Sequence, residues 1–246
     1  MNTIEIVSHC YGGDLTIYPN LLRAQGLSLI NHSTHKCKVI WTICYNQKDA
    51  GVLAVLEELE AVLSSRNVKI RRIILSLGGL FERAIGRNIA AMGSEADCVW
   101  LCDCDYLFNG RCLDCAIDEA SLHNDAIVYP KFLYITTHAH GDGIISKMEE
   151  RKDLTIDDMS LFYVNTQNKA IGGIQIVSGK LARSRGYLHT MQKWQRPRED
   201  TSRGKFSTRS DVKFRSYIGT TVPSSAIVGT HRIRHSKRSY GGEVVD

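Results

Sequence analysis

Asp103 and Asp105 are the residues whose type and spacing point most directly to chemistry. They close the stretch VWLCDCDYLF (Val99 to Phe108), where an apolar run ends in two carboxylates one residue apart. Successive strand side chains point to opposite faces, so positions two apart share a face. The spacing aims both carboxylates at one point, where they repel unless something positive lies between them. A hard divalent cation is the usual partner for such oxygen ligands. A second group, Cys102, Cys104, Cys112 and Cys115, contains one CxxC and has the residue type of a structural zinc site. No second CxxC exists, and Cys104 lies between the two aspartates, so packed thiols are the preferred reading. Cys10, Cys37, Cys44 and Cys98 lie on or beside apolar runs, as small core residues do. Eight cysteines of this kind fit a reducing compartment.

The elements that must position the acid pair alternate along the first half. Strands are expected at Ile4 to His9, Lys38 to Asn46, Lys69 to Leu77, Cys98 to Cys102 and Ala126 to Pro130. Helices are expected from near Pro19, over Asp49 to Ser65, Arg83 to Gly93 and Arg111 to Leu122. Such alternation argues for a parallel sheet with helices on both faces. Ligands on such sheets bind at the carboxyl ends of the strands, which is where Asp103 and Asp105 fall. The second half is less regular. IGGIQIVSG (Ile171 to Gly179) reads as a strand, followed by a short helix near Lys180 to Arg185. The polar, basic stretch Gln195 to Asp211 reads as a mobile loop.

Composition narrows the function classes. The chain has 246 residues, 43% of them hydrophobic and 23% charged, which is ordinary for a soluble globular protein. No uncharged apolar run approaches the roughly 18–20 residues that span a bilayer. The start, MNTIEIVSHC, lacks the basic and apolar regions of a signal peptide, so the expected location is cytoplasmic. The net charge is +5, yet residues 180–246 hold 15 basic and 5 acidic side chains. That asymmetry suggests an anionic partner for the C-terminal part: a diphosphate, a nucleic acid or an anionic glycan.

Four pieces of the chain together resemble the GT-A glycosyltransferases, in the manner of family-2-like and galactosyltransferase-like members. RAIGRNIAAMGSEADCVWLCDCDYLF resembles the stretch in which a helix carrying Arg and Asn precedes the DxD strand. GGIQIVSG resembles the acceptor-side strand, SDVKFR the xED-type segment, and HRIRHSKRSY the C-terminal His segment. The xED motif reads Arg209-Ser210-Asp211, without the customary Glu. Glu199-Asp200 offers a literal alternative, but the VKFRSYI after Asp211 suits the family's helix better, so Asp211 is preferred to Asp200.

The resemblance implies a fold and a set of roles. The fold is a Rossmann-like mixed sheet, mainly parallel, with helices on both faces. It would form one catalytic domain over 1–246: a nucleotide-sugar half at 1–130, and an acceptor half at 131–246 with the basic C-terminal segment. The activity implied is a metal-dependent, inverting transfer of a sugar from a nucleotide sugar, with a UDP-sugar as first expectation, to a hydroxyl acceptor. The acceptor classes are a glycan, a lipid-linked glycan or an anionic polymer. Asp105 and His235 would bind Mn²⁺ or Mg²⁺, with His231 the runner-up to His235. Asp103 would bind the metal through water or hold the ribose. Ser8, His9 and Tyr11 would line the base and ribose pocket, and Arg87 and Asn88 would reach the nucleotide or its sugar. Lys237, Arg238 and Tyr240 would close over the diphosphate. Gly172 and Gly173 would permit close backbone approach, and Gln175 would face the acceptor. Asp211 would take the acceptor's proton, cap a helix beginning at Val212, or do both. Three alternatives stay open: a DNA-modifying glycosyltransferase acting on hydroxymethylated pyrimidines, a non-catalytic nucleotide or nucleic-acid binder, and a nucleotidyltransferase. The last ranks lowest because the first strand carries no Gly-rich phosphate loop.

Overall fold

The computed structural model describes residues 2–12, 17–31, 35–63, 67–150, 159–199 and 209–236. The first half is a repeating strand and helix series: β1 (Thr3–His9), α1 (Ile17–Asn31), β2 (Lys38–Tyr45), α2 (Ala50–Leu63), β3 (Val68–Ile74), α3 (Leu77–Phe81), α4 (Arg83–Met92) and β4 (Cys98–Leu101). β5 (Tyr106–Phe108), α5 (Cys112–Leu122), β6 (Ile127–Pro130), β7 (Phe132–Thr136), α6 (His138–Glu149) and β8 (Phe162–Thr166) follow. The described chain continues with β9 (Gln175–Ser178), α7 (Gly179–Arg185), α8 (Ser210–Ile218), β10 (Thr221–Ser224) and β11 (Thr230–Arg232).

Seven strands form one sheet in the order β10-β6-β9-β4-β1-β2-β3. β3, β2, β1 and β4 pair in parallel, and β10 is parallel to β6. Only β9 runs the other way, antiparallel to both β4 and β6. The sheet is therefore mixed and mainly parallel, flanked by helices. Its central strands read as continuous apolar runs because both faces are covered: Ile4, Ile6, Trp41, Ile43, Val99 and Trp100 are all fully buried. The one buried acid of β1, Glu5, accepts from Thr42 on β2 and from Arg71 on β3, at 3.0 Å for the arginine.

A smaller sheet, in the order β5-β11-β7-β8, stands beside the first. It brings the distant β11 against β5, with Arg232 opposite Tyr106, and alongside β7. This sheet was not expected from the sequence. Among the described residues no helix is long and apolar enough to cross a membrane.

Several boundaries differ from expectation for local reasons. The third strand ends at Ile74 rather than Leu77, because Ser76 caps α3: its hydroxyl accepts from the Gly79 N–H at 3.2 Å. The strand expected from Ile171 begins at Gln175, since Ile171 to Ile174 forms a hydrogen-bonded turn. α8 begins at Ser210, with Arg209 as its N-cap residue, so Asp211 lies in the first turn and does not cap a helix at Val212. An acid there still faces the positive end of the helix.

Candidate active site

The acid pair lies just beyond the carboxyl end of β4. Cys102 N–H donates to Val7 O at 2.9 Å, which ties the segment to the adjacent end of β1. β9 runs antiparallel to β4, so Leu101 is paired with Gln175 and the start of β9 lies beside the same strand end. β11 closes the other side, where Ile233 N–H donates to Asp105 O at 2.8 Å. The crevice is thus built from three parts of the chain that are far apart in sequence.

Asp103 is held by α4. Arg83 and Arg87 are four residues apart, share one helix face, and both donate to Asp103 Oδ1, at 2.8 and 3.0 Å. Burial alone would raise its pKa, but Arg83, then Arg87 and Arg232, hold it down at about 2. Arg87 is fully buried and also donates to the hydroxyl of Tyr187 at 3.2 Å. Burial works against its charge, yet Tyr187 and Asp103 together raise its pKa. The Tyr187 ring packs on Phe214 of α8 with centroids 4.3 Å apart, so the grip on Asp103 continues to the helix that carries Asp211.

His9 ends β1 beside this cluster. A Cβ at Gly86 would lie 2.4 Å from His9 Nε2 and 2.7 Å from Cys44 Sγ, so only glycine lets α4 approach this closely. Both His9 ring nitrogens are buried with no hydrogen-bond partner among the described residues. Burial, then Arg87 and Arg83, keep its pKa well below the usual histidine value, so the imidazole is neutral near pH 7.

Asp105 faces a different set. Its Oδ2 accepts from Arg232 Nε at 2.8 Å, and the guanidinium lies 5.2 Å from the Tyr106 ring centroid. Its Oδ1 is buried with no hydrogen-bond partner among the described residues. Asp105, His235, Arg232 and Arg234 line one cavity of about 290 Å³, together with Asn165 and Gln167. His235 meets Tyr18 edge-on at 5.7 Å. The segment carrying it is clamped by the end of β7 and by α6: Arg234 N–H donates to Thr136 Oγ1 at 2.9 Å, and Ser236 N–H donates to Asp142 at 3.0 Å.

Asp211 adjoins the start of β9. Gln175 Nε2 donates to its backbone oxygen at 3.1 Å, and a Cβ at Gly172 would lie 3.3 Å from the Asp211 Cβ. Asp211 Oδ1 is buried with no hydrogen-bond partner among the described residues. Gly173 packs on the Tyr106 ring, and its carbonyl accepts from Trp100 Nε1 at 3.3 Å. Tyr106 therefore lies between the Asp105–Arg232 pair and the Gly173 turn.

The structure thus gathers Asp103, Arg87 and His9 in one cluster, Asp105 and His235 around one cavity, and Asp211 with Gln175 and Gly172 in a third. Other expected residues are spent on internal bonds. Ser8 is fully buried and its hydroxyl donates to Gln25 at 2.7 Å, so it braces the strand end and does not line a pocket. Asn88 accepts from Tyr187 N–H at 3.0 Å and bonds the His189 ring at 3.2 Å, so its amide anchors a loop. Gln175 is buried with its amide turned to backbone oxygens, so it supports Asp211 and does not face an acceptor. His231 stacks on Tyr134 at 4.8 Å inside the small sheet, which removes it as the alternative to His235. Tyr11 is half-buried, edge-on to Phe81 at 4.9 Å. Lys237, Arg238, Tyr240 and Asp200 lie outside the described residues. The cysteine quartet forms no cage: among the described residues no three His, Cys, Asp or Glu side chains gather for a metal. Burial instead pushes the Cys112 thiol up to about 12.

Arg83, Arg232, Tyr106 and Tyr187 were missed by sequence reasoning. Two signals were present. Arg83 precedes Arg87 by one helical turn, and Arg232 and Arg234 alternate as same-face strand residues do.

No family model matches the sequence, and no curated protein matches it. Solved structures do match in fold. Staphylococcus aureus TarS aligns over 96% of this chain with a TM-score of 0.53 and 14% identity; the alignment covers 37% of that protein. TarS residues 1–349 give 0.52 at 13% identity, with 61% of that chain covered. The mannosyltransferase PcManGT from Pyrobaculum calidifontis, in complex with GDP-Man and Mn²⁺, gives 0.55 at 12% identity, with 58% covered. The chain therefore spans less than two thirds of the length of each of these proteins. The likeness shows a GT-A-like, Rossmann-type glycosyltransferase fold, and the resemblance carried by the four motifs agrees with it.

Proposed function

We propose that the chain is a metal-dependent, inverting glycosyltransferase that moves a sugar from a nucleotide-sugar donor to a hydroxyl acceptor. The observation that carries this is the state of Asp105: beyond the end of β4 it lines a cavity with His235, and one of its carboxylate oxygens is buried with no hydrogen-bond partner among the described residues. A divalent cation fits that donor set. Mg²⁺ and Mn²⁺ are commonly held by one or two protein ligands, with the substrate phosphates supplying others, and an imidazole ligand favours Mn²⁺. Bound there, the ion supplies positive charge to a departing diphosphate. That a neighbour of this fold holds GDP-Man and Mn²⁺ supports the donor class.

The chain's own residues do the rest. Arg83 and Arg87 keep Asp103 ionised and fixed, so it can accept from a ribose hydroxyl or hold a metal-bound water. His9, neutral and buried against α4, adds no further positive charge beside Arg83 and Arg87. Among the described residues one Asp211 carboxylate oxygen has no competing donor, as a general base needs before it takes the acceptor's proton. A single displacement with that base on the acceptor side inverts the anomeric centre. Arg234, Asn165 and Gln167 give the cavity the donors and acceptors that a hydroxyl-rich or anionic glycan requires.

The test is nucleotide release from UDP-, GDP-, CMP- and dTDP-sugars, each with and without Mn²⁺, and with glycan or hydroxymethylcytosine DNA as acceptor. Release from one donor that requires Mn²⁺ supports the reading. Silence from every donor refutes it. Stimulation by the DNA would move the acceptor from glycan to nucleic acid.

A further inference from the structure

Arg232 stands where the cation reading of Asp105 needs a cation, and the inference here rests on that reading. The arginine is placed by the sheet: β11 pairs it with Tyr106 and sets its guanidinium over that ring, with Nε on Asp105 Oδ2. It is not sealed in. About a third of its side chain is exposed, against 13% for Asp105, and it lines the cavity that Asp105 and His235 share. A divalent cation on Asp105 would sit within a few ångströms of this guanidinium, and charges of like sign at such a distance repel strongly. The two therefore compete for one carboxylate. A guanidinium driven off Asp105 remains in the same cavity, and its fork of donors matches phosphate oxygens in pairs.

We propose that Arg232 is a built-in competitor of the cation at Asp105 and becomes a ligand of the donor's diphosphate when the cation displaces it. The arrangement keeps Asp105 neutralised while the site is empty. It also couples the two ligands: the cation frees the arginine for the diphosphate, and the diphosphate holds the arginine away from the carboxylate. Such coupling is reciprocal, so each ligand tightens the other. Arg232→Gln should then shift the two affinities in opposite directions, which a merely structural arginine would not do.

The experiment is Mn²⁺ binding by electron paramagnetic resonance on the full chain, first without nucleotide and then with UDP or GDP as probe. Wild type is compared with Arg232→Gln, Arg232→Lys and Asp105→Asn. Without nucleotide, the glutamine variant should bind Mn²⁺ on the order of tenfold more tightly than wild type. With Mn²⁺ present it should bind the nucleoside diphosphate on the order of tenfold more weakly. The lysine variant keeps a point charge without the fork, and should lie between the two on both measures. Mn²⁺ affinity that is equal in wild type and both Arg232 variants, yet lost in Asp105→Asn, would overturn the role of Arg232 and leave the cation reading standing. Absence of Mn²⁺ binding from all four proteins would overturn both. Should the glutamine variant unfold, the lysine variant decides: wild-type Mn²⁺ affinity together with wild-type nucleotide affinity refutes the proposal.

Discussion

Replacing Asp103 with Asn tests whether the arginine pair on α4 is a real electrostatic clamp. The change keeps the shape of the side chain and removes its charge, so packing is preserved while Arg83 and Arg87 lose their anion. The magnitude follows from the structure in two ways. An aspartate brought from an ordinary 3.8 to about 2 contributes about 2.5 kcal/mol of stability near neutral pH. Removing one partner of a buried pair costs roughly 3–5 kcal/mol when the other charge stays buried, and Arg87 is fully buried, with its bond to Tyr187 remaining among the described residues. Since 27% of the Asp103 side chain is exposed, the lower part of that range applies. We expect a loss of about 2–4 kcal/mol at pH 7, and a fall of about 5–15 °C in melting temperature for a chain of this size. The sign with pH is fixed by the depressed pKa. The contribution is complete above the unfolded value near 3.8 and disappears as pH falls through about 2. Urea denaturation of both proteins from pH 7 to pH 2 measures this directly. The gap between them should be constant down to about pH 4 and then close. A variant within about 0.5 kcal/mol of wild type at pH 7, or a gap that does not narrow in acid, would refute the clamp.

Two further perturbations address the acceptor and cation sides. Asp211→Asn should lower kcat by about 10²- to 10⁴-fold with nucleotide affinity unchanged by calorimetry, as loss of a general base does. Intact turnover would remove Asp211 from catalysis. Gly141→Ala would place a Cβ 1.6 Å from Arg234 O, so α6 could no longer clamp the segment carrying His235. It should cost about 1–3 kcal/mol of stability and weaken Mn²⁺ binding, and wild-type Mn²⁺ affinity in this variant would contradict the assignment of His235 to the cation.

The main sheet was legible because its central strands are buried on both faces. Ile4, Trp41, Val99 and their neighbours form continuous apolar runs separated by helical periods, and that pattern fixes both type and order. The position of Asp103 and Asp105 was legible for a related reason: the charged residues mark where the apolar run stops, and they fall just beyond the end of β4. The small sheet was not legible. β5 and β11 are three residues each, too short to show a period, and their pairing joins residues more than a hundred apart in sequence. The reversal of β9 was hidden too, since a strand's composition does not record its direction. The same blindness to distant pairing hid Arg232, whose role exists only because β11 lies on β5. The internal bonds of Ser8 and Asn88 were hidden as well. Their polar side chains sit near the crevice in sequence, but Gln25 and the Tyr187 loop take their hydrogen bonds.

The measurement that goes to the centre is calorimetric titration of UDP and of GDP, each with Mn²⁺, into wild type and Asp105→Asn. One of the two nucleotides should bind the wild type in the micromolar range, and at least about tenfold more weakly when Asp105 is replaced or the metal is chelated. Absence of binding by either nucleotide, or equal binding to the two proteins, would contradict the assignment of the Asp103–Asp105 crevice as a metal-dependent donor site.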